Sequence, residues 1–213
     1  MAVNISKEPR IRLDKGGVVN ITKDGKEDSS ALGKVYCGIS WGKIKVGGIF
    51  GFLADWRSVD LDASVFCYTR QKTRCDMIYY GNKQNLDRTI VHSGDDLHGG
   101  GDKEKDNETV MIDLTNLPYT TETIVVAINS YSGETFDKIP FVRARIYTGS
   151  AGEPDDVLCE YRLDGGDAFK GKTSMVLGHF FRSGQGWKFK ADGHAGTDTR
   201  VTQMSGGLCK SVI

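Results

Sequence analysis

From His92 to Glu108 the chain reads His-Ser-Gly-Asp-Asp-Leu-His-Gly-Gly-Gly-Asp-Lys-Glu-Lys-Asp-Asn-Glu, a run of oxygen donors set among glycines. Six carboxylates, Asp95, Asp96, Asp102, Glu104, Asp106 and Glu108, stand against two lysines, Lys103 and Lys105. Gly94, Gly99, Gly100 and Gly101 let the backbone bend so that carbonyls such as those of Gly99 and Gly101 can turn inward. Upstream, Asp60 and Asp62 alternate with Leu61 and Ala63, so in a strand the two acids project from one face and the apolar pair from the other. Eight acids against two lysines leave six negative charges in one corner. Hard oxygen donors on a bending chain suit calcium, which takes about 6 to 8 of them, and a charge of this size calls for two ions rather than one. The competing reading is a solvated acidic loop.

Two named calcium patterns fail. An EF-hand begun at Asp102 has Asn107 where glycine is needed and Asp113 where the bidentate Glu belongs. Gly99-Gly100-Gly101-Asp102 occurs once, whereas calcium-binding β-helix repeats need stacked neighbours.

The elements that must position these acids read as strands. Helical periodicity is almost absent, and short β-branched and aromatic runs recur between Gly, Asn and Asp clusters. Strands are predicted over 18–22, 34–41, 61–69, 75–80, 109–114, 123–129, 141–147, 157–163, 174–181 and 187–191. About ten strands with turns between them predict an all-β fold, a β-sandwich of two packed, mostly antiparallel sheets with the calcium loop at one corner. The apolar stretch from Gly42 to Val59, with Ile49, Phe50, Phe52, Leu53 and Trp56, is read as a loop tucked onto the sandwich end in preference to a partner-binding lip. The tail from Asp192, rich in Gly, Thr and Ser, is expected to be partly mobile.

A chain of 213 residues suffices for one domain with a sizeable core, and a single domain over 1–213 is expected. The formal net charge of +0 gives no reason to expect nucleic acid as a partner. The N-terminus lacks the basic start and apolar run of a signal peptide, and no stretch approaches a membrane span. A cytoplasmic protein is therefore expected. Five scattered cysteines, Cys37, Cys67, Cys75, Cys159 and Cys209, without Cys-x-x-Cys spacing, argue against a zinc site and a disulfide framework. Cys67 and Cys75 flank a short turn, but cysteines in apolar strand contexts behave as small hydrophobes.

Catalysis has little to rest on. Gly166-Asp167-Ala168-Phe169-Lys170-Gly171-Lys172-Thr173 matches the P-loop expression, yet a P-loop needs a helix opening at Lys172-Thr173, and the residues that follow read as a strand. His92 and His98 have no nucleophile paired by spacing, and a histidine that hydrogen-bonds the loop is the preferred reading of His92.

Several blocks resemble the TerD family of bacterial tellurium-resistance and stress proteins, related to cAMP-binding proteins of slime moulds. Val59-Asp60-Leu61-Asp62-Ala63-Ser64-Val65-Phe66 is similar to the family's Phe-Asp-Leu-Asp-Ala-Ser segment, and Ile78-Tyr79-Tyr80-Gly81-Asn82 to its Phe-Tyr-Asn-Asn strand end. The run from His92 to Gly101 resembles its His-Thr-Gly-Asp-Asn-x-Thr-Gly loop. Asp106-Asn107-Glu108 with Ile112-Asp113-Leu114 resembles its Asp-Asp-Glu and Val-Asp-Leu. Met175-Val176-Leu177-Gly178, Arg182 and Trp187-Lys188-Phe189 resemble its closing strands, so the likeness runs over about 11–193. It implies a non-enzymatic, calcium-binding stress-response module that acts through calcium-dependent contacts with other stress-response proteins. It also adds Asn82 to the expected ligands. Binding of a cAMP-like small nucleotide is the alternative the slime-mould relatives suggest, and peripheral association with a membrane is left open. Asp96 in place of the usual Asn, Gly81 in place of an Asn, and about two extra residues within 102–105 are departures.

Overall fold

A computed structural model describes residues 16–21, 33–47, 55–163, 167–184 and 186–213; the N-terminal segment, most of the apolar stretch at 48–54 and Gly166 lie outside the described residues. Alternation sets the first long strand. In β2 (Lys34–Trp41), Val35, Cys37, Ile39 and Trp41 are fully buried in the core, and Tyr36, Gly38 and Ser40 take the other face. The described chain places β1 (Val18–Ile21) before it and continues with β3 (Ile44–Val46), β4 (Asp55–Arg57), β5 (Leu61–Tyr68), β6 (Arg74–Ile78) and β7 (Ile90–His92). Next come β8 (Glu108–Asp113), β9 (Thr123–Ser130), β10 (Val142–Ser150), β11 (Glu153–Arg162), β12 (Ser174–Ser183) and β13 (Gly186–Gly196).

These strands form a six-stranded sheet, ordered β1-β13-β12-β9-β5-β6, and a five-stranded sheet, ordered β11-β10-β2-β8-β7. The ladders are antiparallel, and β3 and β4 make a separate two-stranded sheet. The inner faces meet in one core: Leu61, Ala63, Val65 and Cys67 of β5, Ile124, Val126 and Ile128 of β9, and Phe180 and Phe189 of β12 and β13 pack with β2, β8 and β10. The expected sandwich is the observed fold. The short strands Ile44–Val46, Asp55–Arg57 and Ile90–His92 add to the expected set, since three residues carry too little alternation to show in a sequence. Part of the stretch read as a loop is thus a hairpin, β3-β4.

The tail differs from expectation. Residues Val201–Gly206 form a helix, α1, followed by a 3-10 turn over Leu208–Val212. Val201, Met204 and Cys209 fill an apolar patch of Phe66, Tyr68, Val125, Ala127 and Val176 on the outer face of the six-stranded sheet. Phe66 and Tyr68 of β5 and Val125 and Ala127 of β9 make part of their second face apolar, and the tail covers that part. Tyr68 Oη and Arg74 hold the helix at Ser205, and Lys72 Nζ donates to the Ile213 carbonyl at 2.8 Å.

After Asp167 a short 3-10 turn, Asp167–Phe169, leads into β12. Lys172 and Thr173 therefore precede a strand, and the helix N-terminus that a phosphate would need is replaced by sheet.

Candidate metal centre

β5 begins where the sandwich turns its corner. The indole of Trp41 donates to the Val59 carbonyl at 2.7 Å, and Asp60 is pinned by its neighbours: its N–H donates to Ser132 Oγ at 3.2 Å and its carbonyl accepts from Tyr131 N at 2.9 Å. Asp62 lies one alternation on, opposite Asn129 in the β5-β9 register, buried to 2% exposure. The loop after β7 brings Asp95 to them. One oxygen from each of Asp60, Asp62 and Asp95 lies within 4.8 Å of the other two. Oxygens on opposite sides of a cation at about 2.4 Å stand about 4.8 Å apart, so this spacing suits a calcium ion.

Among the described residues, no Lys or Arg forms an ion pair with Asp60, Asp62 or Asp95. Burial, then the charges of Asp95, Glu108 and Asp96, push Asp60 up to about 6, against a smaller lowering by Arg200. Asp62 is pushed up to about 7 by burial and by Asp60 and Glu108, and the Asn129 hydrogen bond offsets part of this. Burial and mutual repulsion thus both favour the protonated form of these carboxyls.

Two oxygens test the fit of a metal. Asn129 Nδ2 donates to Asp62 Oδ2 at 2.9 Å and to the Thr199 carbonyl at 3.3 Å, while Asn129 Oδ1, on a side chain with no exposure, has no partner. Asp60 Oδ1 is likewise buried and unpartnered. Native proteins rarely leave buried acceptors unpaired, and a cation would satisfy both. Asn129 was not among the residues singled out in the sequence. Its only signal is an amide at the end of an otherwise apolar strand, and its place beside Asp62 follows from strand register.

The other expected ligands hold the loop. Glu108, with no exposure, accepts from Ala63 N at 2.9 Å through Oε2 and from Asp96 N at 3.1 Å through Oε1, tying the loop to β5. His92 Nδ1 accepts from Gly94 N at 3.1 Å, so the proton sits on Nε2, 3.2 Å from the Ala63 carbonyl and 3.3 Å from Glu108 Oε2. His92 therefore serves the loop. Asp96 Oδ1 closes a turn by accepting from His98 N and Gly99 N, and its Oδ2 accepts from Asn107 Nδ2 at 2.9 Å. Those hydrogen bonds outweigh burial and hold its carboxyl below the usual range. Gly99 has φ +73 and presses on Trp41, where a Cβ would come within 2.8 Å of the indole, so only glycine fits there.

The loop's second half goes elsewhere. Asp106 meets Arg145 Nε at 3.0 Å and Tyr147 Oη at 3.0 Å, and a Cβ on Gly38 of β2 would strike its carboxylate. Glu104 pairs with Arg143 at 2.8 Å, and exposed Asp102 accepts from Glu104 N at 2.9 Å. Asn107 Oδ1 accepts from Trp41 N and Gly100 N donates to the Trp41 carbonyl, both at 3.0 Å, which fastens this half to β2. Gly101 lies open on its Cβ side. Asn82 closes its own turn, exchanging backbone hydrogen bonds with Tyr79 and donating from Nδ2 to the Met77 carbonyl at 2.7 Å. Of the ten expected ligands, the structure thus gathers Asp60, Asp62 and Asp95 into one group and places Glu108 and Asp96 as its braces. Asp102 and Asp106 are not in that group.

Antiparallel sandwich and carboxylate corner together define an all-β protein with a group of acids that could hold a metal ion. The chain belongs to the TerD domain family, whose profile matches residues 10–205. It is 32% identical over 205 residues to the stress response protein SCP2 of Bacillus subtilis (strain 168), covering 91% of this chain and 96% of that one. The tellurium resistance protein TerZ of Serratia marcescens is 28% identical over 204 residues, covering 95% and 99%. A solved homologue of telluride resistance protein from Streptomyces coelicolor shares the fold at TM-score 0.66 and 16% identity, over 82% of this chain and 96% of that one. Among the described residues no helix is long and apolar enough to cross a membrane.

Proposed function

We propose that the protein is a calcium-binding, non-enzymatic module of the stress-response type. The observation that carries this reading is the buried, unpartnered Asn129 Oδ1 beside three converging carboxylates that lack a cation. Asp60, Asp62, Asp95 and Asn129 would hold the ion, and water or backbone oxygens would complete its coordination. An all-oxygen set of this kind selects calcium over softer metals. The geometry supports one ion. The count of two set only Lys103 and Lys105 against the eight acids, whereas Arg145 and Arg143 pair with two of those acids, Asp106 and Glu104.

The family and its named relatives, which act in stress response and tellurium resistance, support the non-enzymatic part. A nucleotide-hydrolysing alternative at 166–173 loses its helix, and no feature of the described residues favours a cAMP-like ligand. Calcium order in the 92–108 loop is the signal passed on, and other stress-response proteins are the partners proposed to read it from the sandwich flanks. Calorimetric titration of metal-free protein tests the reading: a saturable calcium isotherm absent in Asp62→Asn is expected, and a flat isotherm for the unmodified protein would overturn it.

A further inference from the structure

Past β13 the chain crosses the metal centre on its way to the C-terminal tail. Asp198 N donates to Ser174 Oγ and the Asp198 carbonyl accepts from Thr173 Oγ1, both at 3.1 Å, where Ser174 of β12 lies opposite Asn129 of β9. The Thr199 carbonyl then accepts from Asn129 Nδ2 at 3.3 Å, on the same amide whose Oδ1 is unpartnered. Arg200 Nη1 donates to the Tyr131 carbonyl at 2.9 Å, and Tyr131 N donates to the Asp60 carbonyl. Val201, the next residue, opens α1. Two residues proposed to hold the ion, Asn129 directly and Asp60 through Tyr131, are thus tied to the two residues from which the tail helix starts.

The tail beyond that point has two discrete arrangements open to it. α1 has six residues, and a helix that short does not persist alone in water, where about 12 to 15 residues give only marginal stability. It therefore keeps its shape by seating Val201 and Met204, with Cys209 of the following turn, on Phe66, Tyr68, Val125, Ala127 and Val176. An ion on Asn129 Oδ1 would fix the amide with Nδ2 toward Thr199, polarise its N–H groups into better donors, and relieve the repulsion among Asp60, Asp62 and Asp95. Without the ion, the anchors of Thr199 and Arg200 lose that restraint. We infer that the C-terminal tail is a strap whose seating on the six-stranded sheet is linked to calcium at the β5 corner: the loaded site holds it down, and the metal-free site lets it lift from the apolar patch.

This rests on the calcium reading, and the test separates the two. Calorimetry first measures calcium binding. Cys209, a tail residue with no exposure, then reports the strap. In a Cys75→Ser background, which removes the exposed thiol, the protein is labelled with dithiobis(nitrobenzoic acid) in calcium or chelator and the labelled residues are identified by peptide mass. Chelated protein should label Cys209 about tenfold faster than calcium-loaded protein, an ordinary size for coupling between two sites, while Cys37, Cys67 and Cys159 of the core stay unlabelled. Met204→Ala loosens the seat without touching a proposed ligand. In that variant Cys209 should label rapidly in both states, and by reciprocity calcium affinity should fall by up to the same factor. Equal Cys209 rates in calcium and chelator, labelling of the core thiols together with Cys209, or an unchanged isotherm in a Met204→Ala protein whose Cys209 labels freely would each overturn the strap while sparing the calcium site. A flat isotherm for the unmodified protein overturns both.

Discussion

The two halves of the acidic loop hold the same residue types and do opposite things. At one end Asp95 joins Asp60 and Asp62, with no ion pair to an arginine among the described residues, only a weaker pull of Arg200 on Asp60, and with Asp60 and Asp62 forced upward in pKa. At the other, Asp106 and Glu104 lie against Arg145 and Arg143 of β10. Acidic composition therefore does not make a site. A carboxylate already paired inside the protein staples the chain, and one left without its counter-charge is available to a cation. The pairing spends two of the loop's charges on position, and position is what delivers Asp95 to the strand.

Substitution at the two ends should separate these roles most sharply. Asp62→Ala and Asp95→Ala are each expected to weaken calcium binding by about 100-fold or more, beyond what loss of an outer partner costs. Asp106→Ala should leave the calcium isotherm within a few-fold and instead cost about 3 kcal/mol in urea unfolding, because Arg145 is left buried and unpaired. Equal loss of calcium binding in Asp106→Ala would erase the distinction.

Chelation comes next in size. Calcium that binds only the folded form adds about 2.7 kcal/mol at about 100 times its dissociation constant, so chelator should lower Tm by several degrees. A scan with Asp62→Ala should show no such response.

The pH response is smaller and its sign follows from the raised carboxyls. Asp62 titrates at about 7 when folded, above its unfolded value, so the folded protein keeps a proton that the unfolded chain releases. Metal-free protein should therefore be relatively most stable below about pH 4 and lose that increment as pH rises to about 7, while calcium affinity rises over the same window. Urea midpoints and calcium titrations at several pH values check this, and a metal-free stability that climbs through that window would contradict it.

Much of this was legible in the sequence. Alternation in Val35, Cys37, Ile39 and Trp41 gave the sandwich wall, and the spacing of Asp60 and Asp62 put both on one face. What sequence order hides is register. Asn129 meets Asp62 only through the β5-β9 ladder, and Arg145 meets Asp106 only because the loop folds back across β2 toward β10. A charge count along the loop therefore overstated its unpaired charge. The C-terminal helix and the 3-10 turn after it escaped notice because their buried apolar residues, Val201, Met204 and Cys209, are few and set among glycines, and their role appears only beside the apolar part of the second face of β5 and β9. The smallest expected effect belongs to the P-loop look-alike: Lys172→Ala should change neither calcium binding nor any nucleotide turnover, and hydrolysis lost in that variant would contradict the strand-based reading.

Anomalous difference density from a crystal grown in calcium tests the division of the loop most directly. The account predicts a peak between the carboxylates of Asp60, Asp62 and Asp95 and within coordination distance of Asn129 Oδ1, and none beside Asp106. Density at Asp106 or Glu104, or none at the β5 corner, would contradict it.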